Sequence, residues 1–219
     1  MSQPPAAVAQ FRERYRREKI GPRYSGRLHL STTLSVTGAV VLGCLLTLSD
    51  VRPVEWLTIP AAFLTANIVE YLFHRFVMHR PRPGLRVAYE RHTLSHHHFY
   101  THDAMVAESA RDFHMVLFPA ALLFIFLGVI DAPLATAVYF LFGLNVAKLF
   151  VAVTVGYYMA YECLHTIYHL PVDHWAARLP GMQRLKRLHQ SHHDLALMGK
   201  YNYNITIPIG DKIFGTYRL

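Results

Sequence analysis

Long apolar stretches alternate with short polar segments along this chain. A helix needs about 20 consecutive apolar residues to cross the hydrocarbon core of a bilayer. Residues 28–48 and residues 54–78 both reach this length, and the polar sequence Asp50-Val-Arg-Pro53 separates them. The pattern predicts two spanning helices joined by a tight turn. The second helix should stop at Pro81 and Pro83, because proline cannot continue a helix.

The second half of the chain repeats this organisation less regularly. An apolar run covers residues 115–130 and ends at Asp131-Ala-Pro133, which we interpret as a second turn. A fourth helical segment then extends from about 134 to 170. At about 1.5 Å per residue it is longer than a bilayer is thick. It should therefore either project beyond the membrane or break near Gly143 or Gly156.

The composition supports a membrane protein of all-α class. Of the 219 residues, 53% are hydrophobic, which is high for a soluble domain, and the net charge is +8. Basic residues flank the apolar stretches, so the positive-inside rule explains them better than nucleic-acid binding does. We expect residues 1–27 to form a basic cytoplasmic segment and residues 28–219 a membrane domain. Both termini should lie on the cytoplasmic side, since four spans form two hairpins.

Ten of the fifteen histidines form four clusters at the ends of the apolar segments. Histidine is the commonest metal ligand that binds through a neutral nitrogen, and ten imidazoles are too many for one ion. Two ions with five or six positions each would use all of them, a geometry that iron accepts. The candidate ligands are His74, His79, His92, His96, His97, His165, His169, His189, His192 and His193.

The spacing within the clusters favours helices that present several imidazoles together. Residues four apart share a helix face, so the pair at 165 and 169 can reach one ion, and so can the triplet at 189, 192 and 193. His92 and His96 fit the same rule, whereas His97 points about 100° away and could serve the second ion. His74 and His79 are five apart, which requires a distorted final turn before Pro81.

Three carboxylates are candidates for a role beside the ligands. A ligating imidazole usually donates its second N–H to a carboxylate, a carbonyl or water. Glu70 lies four residues before His74, Glu162 three before His165, and Asp194 directly follows His193. We predict that all three are catalytic residues beside the ligands, with Glu70 and Glu162 acting as histidine orienters or as occasional ligands. His98 is an alternative to His97 as a ligand.

A histidine pair at helical spacing is more often a surface feature or a core hydrogen bond than a metal site. Four such clusters beside predicted membrane boundaries change that balance, because ionisable residues near lipid are costly and usually functional. A metal transporter or a zinc-stabilised scaffold would also use histidine. A transporter, however, should carry its polar ligands in the middle of the spans, whereas these lie at the ends.

The four motifs together resemble the fatty acid hydroxylase/sterol desaturase superfamily of membrane diiron enzymes. They read Glu70-Tyr-Leu-Phe-His74-Arg-Phe-Val-Met-His79, Glu90-Arg-His92-Thr-Leu-Ser-His96-His97, Glu162-Cys-Leu-His165-Thr-Ile-Tyr-His169 and His189-Gln-Ser-His192-His193. The ending from Thr206 to Thr216 is also similar. The resemblance implies a four-helix membrane domain whose cytoplasmic helical cap carries a dinuclear site.

The resemblance also implies the chemistry, and it is greatest to the fatty acid 2-hydroxylase branch, which acts on sphingolipid acyl chains. It implies two iron ions, O₂ as co-substrate and hydroxylation of a lipid acyl chain, with zinc able to occupy the site in purified protein. No fused cytochrome b5 domain is visible, so a separate electron donor of ferredoxin or cytochrome b5 type is expected. A desaturase or oxidase acting on a sterol, a carotenoid or another lipid remains the alternative.

Overall fold

The structure is a computed structural model and describes residues 4–219. Every regular element in this part of the chain is helical, which confirms the all-α prediction. An N-terminal helix, Ala6–Lys19, precedes four long helices. The polar segments between and after them form a longer helix, Met182–His192, and short helical pieces. The short pieces are Arg86–Tyr89, Glu90–His96, His97–Phe99, Ala110–Asp112, Phe113–Val116, Trp175–Arg178 and Ile209–Ile213.

Four helices are long and apolar enough to cross a membrane, as the hydrophobic pattern predicts. The first span is Gly26–Leu46 and the second is Pro53–Met78. The second begins with a 3₁₀ turn, Pro53–Leu57, continues as the α-helix Thr58–Phe73 and ends as a π-helix, His74–Met78. The third span is Ala120–Phe142 and the fourth is Leu144–Tyr168.

The predicted turn at Asp131-Ala-Pro133 is wrong, because the third span continues through it. The helix passes from Ala120–Ile125 into a π-helical stretch, Phe126–Asp131, and then into Ala132–Phe142. Pro133 lies in the first turn of that last segment, where a missing N–H is tolerated. Asp131 is buried and accepts a hydrogen bond of 2.6 Å from the Thr154 hydroxyl, so its polarity is satisfied within the apolar segment.

The second hairpin turns instead at Gly143. This glycine has φ +97°, a conformation that residues with a side chain rarely adopt. It ends the third span, and the fourth begins at the next residue. Of the two break points that the sequence offered, Gly143 is therefore the correct one, and Gly156 lies inside the fourth helix.

The chain forms two compact units. The span unit contains residues 27–66 and 118–162, and the histidine unit contains residues 4–26, 67–117 and 163–219. In the span unit, the Asn145 amide donates to the Ser49 carbonyl at 2.7 Å and ties the first turn to the start of the fourth helix. The division of the chain at residue 27 into a basic segment and a membrane domain stays a prediction.

The histidine unit is held together by its N-terminal helix and its C-terminal tail. Phe11 and Tyr15 pack against a buried cluster of Phe99, Tyr100, Met115 and Val116. Both residues belong to the helix Ala6–Lys19. It therefore packs against the histidine-bearing segments and is not only a solvated basic surface.

The C-terminal tail is fixed by two polar side chains. The buried Asp211 carboxylate accepts hydrogen bonds from the backbone N–H groups of Tyr203 and Asn204, at 2.9 and 2.8 Å. Asn67 from the second span accepts from the Gly210 N–H at 3.1 Å and donates to the Ile207 carbonyl at 2.7 Å. These contacts set the path of residues 203–210 beside the second span.

We expect Gly210→Ala to destabilise the protein. A Cβ atom at this position would lie 2.7 Å from the Tyr71 Cβ and 2.8 Å from the Asn204 Oδ1, closer than real Cβ contacts. Overpacking of this kind costs about 1–3 kcal/mol. Thermal unfolding in detergent should show a lower midpoint, whereas Gly199→Ala, whose Cβ meets nothing within 4 Å, should not. Equal midpoints for the two variants would contradict the tight contact.

Candidate metal centre

The ten predicted histidines converge in the histidine unit as two groups of five. The first pentad consists of His74, His79, His92, His97 and His192. The second pentad consists of His96, His165, His169, His189 and His193. Within each pentad, one nitrogen atom from every imidazole lies within 4.8 Å of all the others. The two pentads are adjacent, since the His97 and His193 rings stack with their centroids 4.4 Å apart.

The nitrogen–nitrogen distances fit an ion at the middle of each pentad. In the first, Nε2 of His74 lies 2.7 Å from that of His92 and 3.1 Å from that of His79. In the second, Nε2 of His193 lies 3.0 Å from that of His189 and 3.2 Å from that of His96. With a metal–imidazole bond of about 2.1 Å, ligand atoms at right angles lie about 3.0 Å apart and opposite ones about 4.2 Å.

Two π-helical turns bring together four ligands of the first pentad. The backbone N–H of His79 donates to the carbonyl of His74 at 3.1 Å, and that of His97 donates to the carbonyl of His92. This i→i+5 bond widens the turn by one residue, so that residues five apart face the same way. The wider turn is the distortion that the spacing of His74 and His79 requires.

Pairs of residues four apart, at the C-terminal ends of two α-helices, supply four ligands of the second pentad. His165 lies in the last turn of the fourth span, and His169 directly follows its last residue, Tyr168, with its N–H donating to the Thr166 carbonyl at 3.1 Å. His189 and His193 are also four apart, and the N–H of His193 donates to the carbonyl of His189 at 3.1 Å. Each turn therefore places two imidazoles on one side of a helix.

The remaining two ligands, His96 and His192, each belong to a different pentad from the neighbouring histidine in the sequence. His96 belongs to the second pentad although it is one residue from His97, and His192 belongs to the first although it is one residue from His193. The expectations that His92 shares an ion with His96, and that the last cluster serves a single ion, were therefore wrong. The helix around His96 is π-helical, so the four-residue rule does not apply to it.

The protonation of the rings shows that each pentad fits a cation. Nδ1 of His74 donates to the Tyr203 carbonyl, and Nδ1 of His192 donates to the Tyr201 carbonyl at 2.9 Å. In a neutral imidazole the other nitrogen, Nε2, then carries a lone pair and no proton. These two Nε2 atoms lie 3.2 Å apart, so their lone pairs would repel unless a positive ion lay between them.

The second pentad has the same arrangement. Nδ1 of His96 donates to the Met115 carbonyl at 3.0 Å, and Nδ1 of His193 donates to the Tyr100 carbonyl. Their Nε2 atoms also lie 3.2 Å apart. A metal ion accepts both lone pairs, and the residues present therefore fit one in each pentad.

Burial keeps these imidazoles in the neutral form that metal binding needs. Loss of solvent lowers the pKa of His92, His96 and His97 well below the ordinary value, and nearby histidines lower it further. Burial also lowers the pKa of His192 to about 4, although its bond to the Tyr201 carbonyl acts in the opposite direction. At neutral pH the rings are uncharged and present lone pairs to an ion.

Backbone carbonyls orient the imidazoles, a feature that the sequence could not reveal. In addition to the carbonyls of Tyr203, Tyr201, Met115 and Tyr100, that of Met105 accepts from Nδ1 of His169 at 2.8 Å. A carbonyl is present at every residue, so no side-chain pattern marks the ones that are used.

The three candidate carboxylates bind backbone groups. Glu70 accepts hydrogen bonds from the N–H groups of Ile205 and Thr206, at 2.5 and 3.2 Å, and so holds the segment that carries the Tyr203 carbonyl. Glu162 is buried and accepts from the Phe118 N–H at 3.1 Å. Asp194 accepts from the Ala196 N–H at 2.8 Å and caps the turn after the last cluster. Their catalytic roles stay predictions.

The other histidines lie outside the two pentads. His98 is exposed, and its Nδ1 contacts the Thr93 carbonyl at 3.2 Å. His97, not His98, enters the first pentad, so the alternative ligand is not needed. His102 contacts the Gln190 carbonyl, and His174 caps a short helix by accepting from the Ala176 N–H.

Comparisons with known proteins agree with the motifs. A family model described as fatty acid hydroxylase matches residues 59–216, which include all four histidine clusters. A solved structure described as full-length Scs7p, with only the hydroxylase domain visible, has the same fold with a TM-score of 0.55 and 23% identity. The match covers 86% of this chain and 65% of that one. A search of curated proteins gives no significant match.

We expect His97→Ala to remove one of two bound ions, because it deletes a ligand of the first pentad and leaves the second complete. His98→Ala is the matched control, since that ring is exposed and lies outside both pentads. Metal content per purified chain, measured by mass spectrometry after loading with iron or zinc, should fall for the first variant alone. Identical metal content in the two variants would contradict the assignment of His97.

Proposed function

We propose that this chain, which belongs to the fatty acid hydroxylase family, is an O₂-dependent diiron hydroxylase of a lipid acyl chain or a similar apolar substrate. The family assignment rests on the match over residues 59–216. The observation that carries the metal assignment is the convergence of ten histidines in two buried pentads.

Iron suits these pentads for a chemical reason. Imidazole is a ligand for iron, zinc, copper and nickel alike, so the ligand type does not select the metal by itself. Five imidazoles around an ion that accepts six ligands leave one position open. When bound, a pair of iron ions would supply the O₂ activation and the oxidising power that an unactivated C–H bond requires. Zinc recovered in purified protein would not identify the native metal.

The protein's own contribution is placement and exclusion of water. The five carbonyls described above fix the orientations of five of the ten rings, so that their lone pairs face the interior of the pentads before an ion binds. Nine of the ten imidazoles are buried, and His79 is partly exposed. Glu70 is a positioning residue in this proposal, because it holds the 203–206 segment and does not itself need to touch substrate.

The membrane supplies the substrate and sets the orientation. We propose that the four apolar helices cross the bilayer and that the histidine unit lies at the cytoplasmic side, since basic residues crowd the N-terminus and the loops that carry the histidines. We propose that a separate carrier of ferredoxin or cytochrome b5 type supplies the electrons.

The acyl substrate is proposed from the likeness to the fatty acid 2-hydroxylase branch. The Scs7p structure, whose description names a hydroxylase domain, is consistent with this choice, but at 23% identity it supports only a common fold. Hydroxylation and desaturation start from the same centre. Which of them occurs depends on how the C–H bond lies against the oxidant.

Isotope labelling tests the reaction. Membranes that contain the protein are incubated with lipids, a reductant and ¹⁸O₂, and the lipids are analysed by mass spectrometry. We expect an alcohol that contains one ¹⁸O atom. A product that has lost two hydrogens and carries no label would replace hydroxylation by desaturation. A lipid profile identical to that of membranes without the protein would refute both.

We expect His165→Ala and His192→Ala each to abolish this turnover, since each removes a ligand from a different pentad. His98→Ala should retain turnover close to that of the unmodified protein. The same ¹⁸O product is measured in all three, with protein amounts matched by immunoblot. Full turnover in both ligand variants would contradict the assignment of the ten histidines as the active site.

A further inference from the structure

Arg12 is an unusual residue in the N-terminal helix, because its charged side chain is only 2% exposed. Neighbouring basic residues of the same helix, such as Arg14 and Arg17, are exposed. A buried charge is costly unless hydrogen bonds and counter-charges satisfy it. The contacts of Arg12 therefore indicate what it does.

The guanidinium of Arg12 binds the segment between residues 99 and 108. Its Nε donates to the Phe99 carbonyl at 2.8 Å, and its two terminal nitrogens donate to the carbonyls of Ala104 at 2.5 Å and Val106 at 3.3 Å. One terminal nitrogen also pairs with the Glu108 carboxylate at 2.8 Å. The planar fork of arginine can reach several acceptors at once, which a lysine ammonium cannot do with the same geometry.

The carbonyls that Arg12 binds belong to residues adjacent in sequence to those whose carbonyls orient the second pentad. Along residues 104–106, the first and third carbonyls accept from Arg12, and the middle one, that of Met105, accepts from Nδ1 of His169. Likewise, Arg12 binds the Phe99 carbonyl, and the next carbonyl, that of Tyr100, accepts from Nδ1 of His193. Fixing one set of carbonyls fixes the direction of the other set.

Other contacts of the N-terminal helix support the same segment. Arg16 makes a bidentate ion pair with the buried Asp112, at 2.8 and 2.7 Å, and also pairs with Glu108. Asp112 in turn accepts from the N–H groups of Glu108 and Ser109. The Tyr100 hydroxyl donates to the Asp112 carbonyl at 3.1 Å. The loop from 99 to 112 is thus held from the N-terminal helix along its length.

We propose that Arg12 is a positioning residue for the second pentad, acting through the Tyr100 and Met105 carbonyls on His193 and His169. The inference rests on the proposed metal binding of the pentads. It assigns the N-terminal helix a role in the assembly of one metal site, beyond the placement of positive charge at the membrane. The first pentad has a counterpart in Glu70, which holds the segment that carries the Tyr203 carbonyl and so acts on His74.

Cobalt(II) titration of the metal-free, full-length protein in detergent tests this proposal. The unmodified protein should bind two ions per chain. Arg12→Met should weaken one of the two binding steps by about 10–100-fold, the range typical of groups that orient ligands. Arg12→Lys, which keeps the charge and loses the fork, should weaken the same step. Arg17→Met is the control, since it removes an exposed charge from the same helix and should leave both steps unchanged.

Single-site backgrounds identify which pentad responds. In His97→Ala protein, where the second pentad remains complete, Arg12→Met should weaken the binding of the remaining tight ion. In His165→Ala protein, where the first pentad remains complete, Arg12→Met should leave it unchanged. Glu70→Gln should weaken the binding of the remaining ion in His165→Ala protein and leave it unchanged in His97→Ala protein. Helical content by circular dichroism accompanies each titration, and Arg12→Lys replaces Arg12→Met throughout if the methionine variant does not fold.

The outcomes separate this inference from the proposed function. If the unmodified protein binds fewer than two ions, the metal assignment fails, and the role of Arg12 fails with it. If it binds two and both Arg12 variants match Arg17→Met, only the role of Arg12 is overturned. Equal weakening of both sites by Arg12→Lys would also overturn it, because a general loss of structure would then explain the effect.

Discussion

The close approach of uncharged imidazole lone pairs is the constraint on which this structure depends. His74 and His192, for example, direct unprotonated Nε2 atoms at each other across 3.2 Å. Burial prevents protonation or water from relieving this repulsion. A cation in each pentad would turn the repulsion into ten coordinate bonds. The packing of the histidine unit therefore forms two sites that each fit a positive ion.

The pitch of the helical turn decides which histidines belong to the same pentad. The π-turns at His74–Met78 and Glu90–His96 align residues five apart, and the α-turns near the ends of the later helices align residues four apart. A π-helical turn is rare in proteins and occurs frequently at functional sites. Its occurrence at two of the four clusters is consistent with a functional constraint on the positions of the imidazoles.

Each pentad is held by backbone carbonyls, and each set of carbonyls is fixed by a charged side chain from elsewhere in the chain. Residues 201–206 serve the first pentad and are bound by Glu70. Residues 99–106 serve the second and are bound by Arg12. A residue 87 positions from Phe99 in the sequence thus holds the backbone beside the second pentad. The N-terminal helix and the C-terminal tail each contact the segment whose carbonyls orient one pentad.

The sequence alone determined the four spans, the ten histidines and the family, because apolar length and ligand spacing are local properties of the chain. It misplaced the second turn at Asp131, since proline and aspartate usually mark turns and only a partner such as Thr154 shows that they lie within a helix. Only the tertiary structure decided that His96 and His97 belong to different pentads, as do His192 and His193, and that backbone carbonyls orient the rings. Both depend on turn pitch and on contacts between distant segments, which side-chain patterns do not encode.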